Sequence, residues 1–196
     1  MSADPETLRV YDNSARDYAD KFQAAEPGTH LKSFMAALGD GGTVLDLGCG
    51  PGGTAALLMA AGYTVVATDA SEAMVALAQQ AGVDARRARF DQLDVVAEFD
   101  GIWANFSLLH AARADMPAHL GAIHRALKPG GVFHIGLKIG TDAGRDRLGR
   151  FYTYYTEDEL TALLQAAGFT IAQKSFGEDT GLAGSVDPWI VILAHA

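Results

Sequence analysis

The sequence has one cysteine, Cys49, in 196 residues, and its apolar runs are too short or too charged to reach the ~18 residues that span a bilayer. A single cysteine excludes an internal disulfide and argues against a structural zinc site, so we expect no metal and a reducing, cytoplasmic location. Positive charge is also scarce, with 15 Lys and Arg against 24 Asp and Glu and a net charge of -9. Nucleic acids and anionic membranes attract basic patches and are therefore not expected as partners. A small molecule is the expected partner of a monomer or weak homodimer.

Strand-like and helix-like segments alternate from Thr43 onward, with no repeat or linker-like stretch between them. This order predicts an α/β fold with a doubly wound, mostly parallel sheet. We expect one domain, with a helical cap at 1–40 and a Rossmann-like core at 41–196. The predicted strands are 43–47, 64–68, a short one within 85–90, 100–104, 131–137, 170–176 and 188–194. The predicted helices are 14–25 with Ser14 as N-cap, 29–38, 54–61, 71–81, 115–127 and 156–167.

The connection between the last two predicted strands is glycine-rich and too short for a crossover helix. Parallel neighbours need such a helix, whereas antiparallel neighbours do not. The sheet is therefore expected to end in an antiparallel hairpin. The segment 139–150, which holds three glycines and five charges, is predicted to be an exposed loop.

The most informative segment reads L-D-L-G-C-G-P-G-G at 45–53. It predicts a buried strand that ends after Asp46 and turns through Gly48, Gly50 and Gly53 into a helix. The spacing G-x-G-x-x-G is the dinucleotide fingerprint, in which backbone amides hold a pyrophosphate. Asp46 would repel that anion, whereas a carboxylate attracts a ligand with an ammonium and a sulfonium. The turn indicates an adenine-containing ligand, and Asp46 favours S-adenosylmethionine.

Three carboxylates, those of Asp46, Asp69 and Asp91, follow three successive predicted strands. Ligands of open doubly wound sheets bind outside the carboxyl ends of the strands, so we expect these side chains in one site. Asp69 lies 21 positions after Gly48, a distance at which an acidic residue can accept from both ribose hydroxyls. Asp91, next to Phe90, is the candidate acceptor for an adenine amino group.

Motifs along nearly the whole chain match one known family. They are V-L-D-L-G-C-G-P-G-G at 44–53, V-A-T-D-A-S-E-A-M at 66–74, F-D-G-I-W-A-N-F-S-L-L-H at 99–110, L-K-P-G-G-V-F at 127–133, Y-D-N-S-A-R-D-Y at 11–18 and F-Y-T-Y-Y-T-E-D-E-L at 151–160. In combination they resemble the small-molecule branch of the class I S-adenosylmethionine-dependent methyltransferases. The resemblance implies a seven-stranded sheet with a reversed last strand, and methyl transfer to a small-molecule acceptor. Residues 105–108, N-F-S-L, depart from the Asn/Asp-Pro-Pro-aromatic motif that often accompanies amino methylation of DNA or protein.

The resemblance also implies cofactor roles for individual residues. Asp46 and the Gly48 backbone would face the methionine ammonium and carboxylate, Asp69 would hold the ribose hydroxyls, and Asp91 would bind the adenine amine. The other implied cofactor-binding residues are Cys49, Gly50, Ala70, Met74, Asn105, Tyr11 and Tyr18. The two tyrosines would close the N-terminal cap over the cofactor, and Cys49 is a small filler of the turn rather than a nucleophile.

Candidates on the acceptor side have two interpretations each. His110 is the candidate catalytic base, because an ordinary imidazole pKa of ~6.5 lets it take a proton at neutral pH. Alternatively, it only hydrogen-bonds the loop after the fourth strand. One set of tyrosines either walls an aromatic pocket or packs on the sheet: Tyr152, Tyr154 and Tyr155. One set of cations either meets an anionic acceptor or lies in a solvated loop: Lys138, Arg145, Arg147 and Arg150.

Two other functions fit part of the pattern. An NAD(P)-dependent oxidoreductase shares the glycine spacing and Asp69, but Asp46, Asp91 and the lack of a recognisable hydride-transfer pair argue against it. A catalytically silent S-adenosylmethionine-binding protein is the second alternative. It is disfavoured because none of the motifs looks broken.

Overall fold

The computed structural model of the protein describes residues 3–22 and 25–196. The helices in this part of the chain are α1 Pro5–Phe22, α2 Thr29–Leu38, α3 Gly53–Ala60, α4 Glu72–Gln80, α5 Met116–Ala126 and α6 Glu157–Ala166. The strands are β1 Thr43–Leu47, β2 Thr64–Asp69, β3 Ala85–Arg87, β4 Phe99–Asn105, β5 Leu127–Lys138, β6 Ala143–Arg145, β7 Phe151–Thr153, β8 Thr170–Thr180 and β9 Val186–His195. Among the helices described, none is both long enough and apolar enough to cross a membrane.

Seven strands form one sheet in the order β3-β2-β1-β4-β5-β9-β8. β1 pairs in parallel with β2 and β4, and the pairs β2–β3 and β4–β5 are also parallel. β9 runs antiparallel to both β5 and β8. The predicted doubly wound sheet with a reversed last strand is therefore confirmed. Strand order reverses between β1 and β4, and the carboxyl ends of the strands at such a point form the usual ligand crevice.

Successive side chains of the central strands point to opposite faces of the sheet, and both faces are buried. Leu45, Ile102 and Phe133 pack with α5 and α6 on one face. Val44 and Trp103 pack with α2, α3 and α4 on the other. Two covered faces explain why these strands are almost continuously apolar. Polar side chains are consequently concentrated at the ends of the strands.

The first helix begins earlier than predicted. It starts at Pro5, and Asp4 Oδ1 caps it by accepting from both the backbone N and Oγ1 of Thr7, each at 2.8 Å. At Ser14 the backbone leaves helical geometry (φ −118°, ψ 19°), and Ser14 Oγ donates back to Val10 O. A second helical segment therefore follows the break at Ser14, as predicted, but the predicted N-cap hydrogen bond is wrong, because this hydroxyl bonds the preceding turn rather than the following one. The predicted helix 14–25 also includes residues 23 and 24, which lie outside the described part of the chain.

The two helices of the predicted N-terminal cap occupy different places. α1 lies at the carboxyl edge of the sheet against α4, where Asp12 Oδ1 accepts from Ser71 Oγ at 2.6 Å. α2 packs on a face of the sheet, with the Phe34 ring 5.3 Å from the Trp103 ring. Only α1 is therefore placed to cover a ligand at the crevice.

The segment 139–150 is largely the loop that was predicted, and most of it is exposed or half-buried. The prediction missed one short strand, because residues Ala143–Arg145 form β6, which pairs antiparallel with β7. The partner strand follows the segment, and glycines and charges alone show no strand pattern. This hairpin lies beside α1, since the backbone N of Phe151 donates to Thr7 Oγ1 at 2.8 Å.

Candidate active site

The turn after β1 depends on left-handed glycines. Gly48 has φ +81° and Gly50 has φ +54°, a region that other residues rarely adopt. A Cβ on Gly48 would lie only 2.3 Å from the Cβ of Ser107. Ser107 is held there because its Oγ donates to Leu47 O at 2.6 Å. Both the backbone and the loop after β4 therefore require glycine at position 48.

The backbone amides of this turn are already used inside the protein. The N–H groups of Gly48 and Cys49 donate to Thr68 O at 2.8 and 2.9 Å. The N–H of Gly50 donates to Asp69 Oδ2 at 2.9 Å. A pyrophosphate bound in this turn would need such amides as its own donors. The geometry therefore argues against a dinucleotide.

The Cys49 side chain is buried in the same turn and is 8% exposed. Burial, followed by the carboxylates of Asp46 and Asp69, raises the pKa of its thiol. A protonated, buried thiol is a poor nucleophile. Cys49 therefore contributes its small volume to the turn and no reactive group.

Asp69, at the end of β2, lines a cavity of about 410 Å³. Its Oδ1 accepts from the backbone N of Ser71 at 2.8 Å, and its Oδ2 accepts from Gly50 N. Burial raises the pKa of this carboxyl, and the backbone hydrogen bonds oppose that shift. Ala70 and Met74 line the same cavity. Two oriented acceptor oxygens are suited to a vicinal diol.

Asp46, near the end of β1, is only 2% exposed. Within residues 3–22 and 25–196, no hydrogen-bond donor reaches its Oδ2. Burial and then the Asp69 carboxylate raise its pKa to about 7, while a backbone hydrogen bond from Ala55 opposes the rise. A buried oxygen without a partner is costly, and a cationic group nearby would remove that cost. Asp46 therefore fits a ligand with an ammonium.

Asp91 lies in a short 3-10 turn, Phe90–Gln92, that follows β3, and β3 falls within the predicted range 85–90. It lines the same 410 Å³ cavity as Asp69. Arg89 Nε lies 3.0 Å from Asp91 Oδ1, and this hydrogen bond lowers the pKa of the carboxyl. His119, whose ring meets Phe90 edge-on at 5.8 Å, lines this cavity too. Sequence reasoning did not place His119 here, because it lies within a helix far from the motifs.

A second cavity of about 880 Å³ adjoins the first. It is lined in part by Asp46, Lys138, Arg150, Tyr152 and Trp189. We call the residues that line both cavities the shared wall: Tyr11, Tyr18, Gly48, Gly50, Asn105 and Phe106. All predicted cofactor-binding residues line one cavity or both.

Asn105 and Phe106 of the shared wall are held by specific contacts at the end of β4. Asn105 Oδ1 lies 2.9 Å from His134 Nε2, which donates because an amide oxygen only accepts. Phe106 has φ +53°, an unfavourable conformation for a large side chain. Such strain is most common at functional sites. Sequence reasoning did not identify Phe106, since only the tertiary structure shows its backbone conformation.

Tyr11 connects α1 to the loop after β4. Its hydroxyl lies 2.8 Å from His110 Nε2 and accepts from Arg150 Nη1 at 3.0 Å. His110 Nδ1 lies 2.6 Å from Phe151 O, and a carbonyl only accepts, so Nδ1 carries the hydrogen and Nε2 accepts from Tyr11. Burial lowers the pKa of His110 to about 4, so the imidazole is neutral near pH 7. The lone pair of the candidate base is therefore occupied by Tyr11.

The prediction of a solvated loop is wrong for Arg150, and Lys138 just before that loop is also shielded. The Arg150 side chain is 3% exposed and lies 2.7 Å from Asp146 Oδ2. The Lys138 side chain is 13% exposed, and its Nζ donates to Asp187 Oδ2 at 2.6 Å. Sequence reasoning missed Asp187 because it lies on β9, far along the chain from Lys138. No local spacing could have revealed that pair.

The remaining candidate arginines and tyrosines lie in different parts of the structure. Arg145 is 40% exposed and pairs with Asp4 at 2.8 Å, which ties the β6–β7 hairpin to α1. Arg147 donates to Ala183 O in the turn between β8 and β9. Tyr152 lines the second cavity, whereas Tyr155 is fully buried in the core. Packing in the core is therefore observed for Tyr155, whereas the role of Tyr152 as the wall of an aromatic pocket stays a prediction.

The doubly wound sheet and the residues at the carboxyl ends of its strands define a class I S-adenosylmethionine-dependent methyltransferase. In this class a glycine turn follows β1 and an acidic residue ends β2. A family model described as a methyltransferase domain matches residues 44–131. The ubiquinone biosynthesis O-methyltransferase of Dinoroseobacter shibae is 31% identical over 181 residues, covering 81% of this chain and 71% of that protein. The chain belongs to this methyltransferase family.

Two further similarities extend over different lengths. The crystal structure of 1,6-didemethyltoxoflavin-N1-methyltransferase from Burkholderia thailandensis is 29% identical with a TM-score of 0.76, covering 100% of this chain and 91% of that chain. The ubiquinone/menaquinone biosynthesis C-methyltransferase of Rubrivivax gelatinosus is 39% identical over 113 residues, which are 56% of this chain and 44% of that protein. In that relative the similarity spans less than half of its length.

Proposed function

We propose that this protein transfers the methyl group of S-adenosylmethionine to a small-molecule acceptor. The observation that carries the proposal is the shared wall, where a cavity lined by Asp69 and Asp91 meets a larger cavity lined by Lys138 and Tyr152. When bound, S-adenosylmethionine supplies a methyl group on a sulfonium for in-line displacement by the acceptor. Such a reaction depends on alignment of two ligands end to end, and adjoining cavities provide that alignment.

The donor side of the proposal assigns one partner to each carboxylate. Asp69 accepts from the ribose hydroxyls, Asp91 accepts from the adenine amino group, and Asp46 faces the ammonium directly or through water. These roles agree with the unpaired oxygen of Asp46 and with the two oriented oxygens of Asp69. The remaining residues pack beside the adenine or along the methionine end: Ala70, Met74, Gly48, Cys49, Gly50 and Asn105.

In this proposal Tyr11 and Tyr18 of α1 cover the site at the carboxyl edge of the sheet. Their rings meet edge-on at 5.7 Å, and both belong to the shared wall. Helix α1 is held down by the Tyr11–His110 hydrogen bond and by the Asp12–Ser71 hydrogen bond. A closed cover excludes water, which strengthens the electrostatic interactions that hold the cofactor.

The geometry favours a positioning role for His110 over the role of proton acceptor. Its Nε2 accepts from Tyr11, and its pKa of about 4 makes it a weak base. General-base catalysis is most efficient when the pKa lies near the working pH. His110 therefore holds Tyr11, and with it α1, in place over the shared wall.

Small molecules are the acceptors that the comparisons suggest. The neighbour from Burkholderia thailandensis holds 1,6-didemethyltoxoflavin together with S-adenosylhomocysteine. The relative from Dinoroseobacter shibae is named for ubiquinone biosynthesis. In this chain, the cavity of about 880 Å³ has the size of a small-molecule site.

Cofactor binding separates the proposal from its alternatives. We expect micromolar binding of S-adenosylhomocysteine and no binding of NAD in isothermal titration calorimetry, because the turn amides are engaged by Thr68 O and Asp69. Binding of NAD alone would support the oxidoreductase and contradict the methyltransferase. A catalytically silent protein would bind S-adenosylhomocysteine but transfer no labelled methyl group to any compound in a panel of candidate acceptors.

Cofactor affinity is expected to depend on pH through Asp46. Its pKa of about 7 means that below neutral pH the carboxyl is protonated and cannot pair with an ammonium. Affinity for S-adenosylhomocysteine should rise by up to about tenfold per pH unit toward pH 7 and then level off, because the carboxylate is fully formed while the ligand's ammonium is still protonated. In calorimetry across this range, the affinity of Asp46→Asn should no longer rise between acidic pH and pH 7. If it still rises, the titrating group is another one, such as Asp69.

A further inference from the structure

The second cavity is lined by two cations, the half-buried Lys138 and the buried Arg150, and both are neutralised within the protein. Lys138 Nζ donates to Asp187 Oδ2 at 2.6 Å, and Ser185 Oγ donates to the same oxygen at 2.8 Å. Arg150 Nε and Nη2 donate to Asp146 Oδ2 at 2.9 and 2.7 Å. An anionic acceptor would therefore have to displace or compete with a carboxylate that is already in place.

The remaining charges on this cavity are acidic. Asp20 on α1 and Asp179 near the end of β8 also line it, and both are exposed. Together with Asp187 they outnumber the two cations of the lining, even without Asp46, which is assigned to the cofactor ammonium. The local potential therefore disfavours carboxylates and phosphates, because like charges in a partly desolvated site repel strongly.

Much of the other lining is aromatic. Lys138 Nζ lies 4.2 Å from the centre of the Tyr152 ring, so the ammonium covers one face of that ring. The Phe106 and Trp189 rings meet at 6.4 Å, and Tyr11 and Tyr18 at 5.7 Å. Aromatic walls favour flat ligands, which can stack on ring faces or meet their edges.

We infer that the methyl acceptor is an uncharged, flat aromatic or heteroaromatic molecule, and that Asp187 excludes anionic acceptors by neutralising Lys138. The inference rests on the proposed function and names the substrate class of the same site. Asp187 thereby determines the specificity of the site for the acceptor. Its carboxylate bridges the end of β5 and the β8–β9 hairpin, so the same ion pair also positions the wall of the cavity.

The test compares two probes of the same shape that differ in charge, 2-naphthol and 2-naphthoate. Near neutral pH the first is neutral and the second is an anion. With saturating S-adenosylhomocysteine, calorimetry on the wild-type protein should show at least tenfold tighter binding of 2-naphthol. Asp187→Asn retains the size and the hydrogen-bonding oxygen but leaves Lys138 uncompensated, so the preference should shift toward 2-naphthoate by at least tenfold. The control Asp158→Asn makes the same change in net charge on exposed α6 and should leave the preference unchanged within twofold.

Three results overturn the inference. Wild-type protein could bind 2-naphthoate as tightly as 2-naphthol, Asp187→Asn could leave the preference unmoved, or neither probe could bind while S-adenosylhomocysteine does. Failure of the proposed function is a separate outcome, because S-adenosylhomocysteine itself would then not bind. Thermal unfolding of both variants shows whether either one has lost its fold.

Discussion

Replacing Asp69 with alanine is expected to weaken S-adenosylhomocysteine binding by about a hundredfold. The carboxylate is fixed by the backbone N–H groups of Gly50 and Ser71, which leaves both oxygens oriented toward the cavity. A hydrogen bond to a charged group is worth about 1.5–3 kcal/mol. Loss of two such bonds to the ribose comes to about 3 kcal/mol or more, and each 1.4 kcal/mol is about tenfold in affinity. Calorimetry measures the change directly.

Two further variants make the Asp69 experiment specific. Asp69→Asn keeps one acceptor oxygen, so its loss of affinity should lie between those of wild type and alanine. Asp84→Ala removes an exposed carboxylate that lies 2.9 Å from Arg86 in a surface ion pair, and its affinity should be unchanged. An alanine variant at position 69 that binds within threefold of wild type would remove this residue from the ribose site.

Gly48→Ala is expected to lower the free energy of unfolding by about 3 kcal/mol and to abolish cofactor binding. The left-handed backbone, φ +81°, costs an alanine about 1–2 kcal/mol. The new Cβ would lie 2.3 Å from the Cβ of Ser107, and overpacking of this kind costs about 1–3 kcal/mol. Urea unfolding followed by circular dichroism measures the sum, and calorimetry measures the loss of binding.

A nearby glycine provides the matched control for that experiment. Gly53 begins helix α3, and no atom of the described residues lies within 4 Å of a Cβ built on it. Gly53→Ala should therefore leave stability unchanged or raise it by up to about 1 kcal/mol. In a Ser107→Gly background the overlap between the two Cβ atoms is absent. Gly48→Ala should then lower the free energy of unfolding only by the cost of the left-handed backbone, about 1–2 kcal/mol. An equal cost in both backgrounds would show that Ser107 does not impose glycine on the turn.

The donor half of the site could be predicted from the sequence because its signals are local. Asp46, the glycine turn and Asp69 lie at the ends of two neighbouring strands, and the apolar runs of β1 and β2 predict those strands. Parallel strands bring their carboxyl ends to one edge, so the sequence order already implies that Asp46 and Asp69 meet. Asp91 was placed on the same reasoning, and β3 lies within the predicted range 85–90.

Two residues, Ser14 and His110, belong to types that have two local uses. Ser14 has the pattern of a helix N-cap, yet its hydroxyl bonds Val10 O inside a longer helix that Asp4 caps. His110 has the right chemistry for a base, but the structure places Tyr11 on its free nitrogen. In both cases the hydrogen-bond partner decides the role, and sequence spacing does not identify the partner.

The fold class and the family follow from the sequence alone, because strand periodicity and glycine turns act over a few residues, and the donor side of the candidate site could be proposed from the same local signals. The tertiary structure alone decided the character of the acceptor cavity. Counted along the chain, Lys138 and Arg150 look like available cations, but packing places Asp187 and Asp146 against them and removes their charge from the cavity. The Lys138–Asp187 pair joins distant parts of the chain, and the Arg150–Asp146 pair is buried under α1 and β7. Whether a charge is free or neutralised therefore depends on contacts that only the folded chain makes.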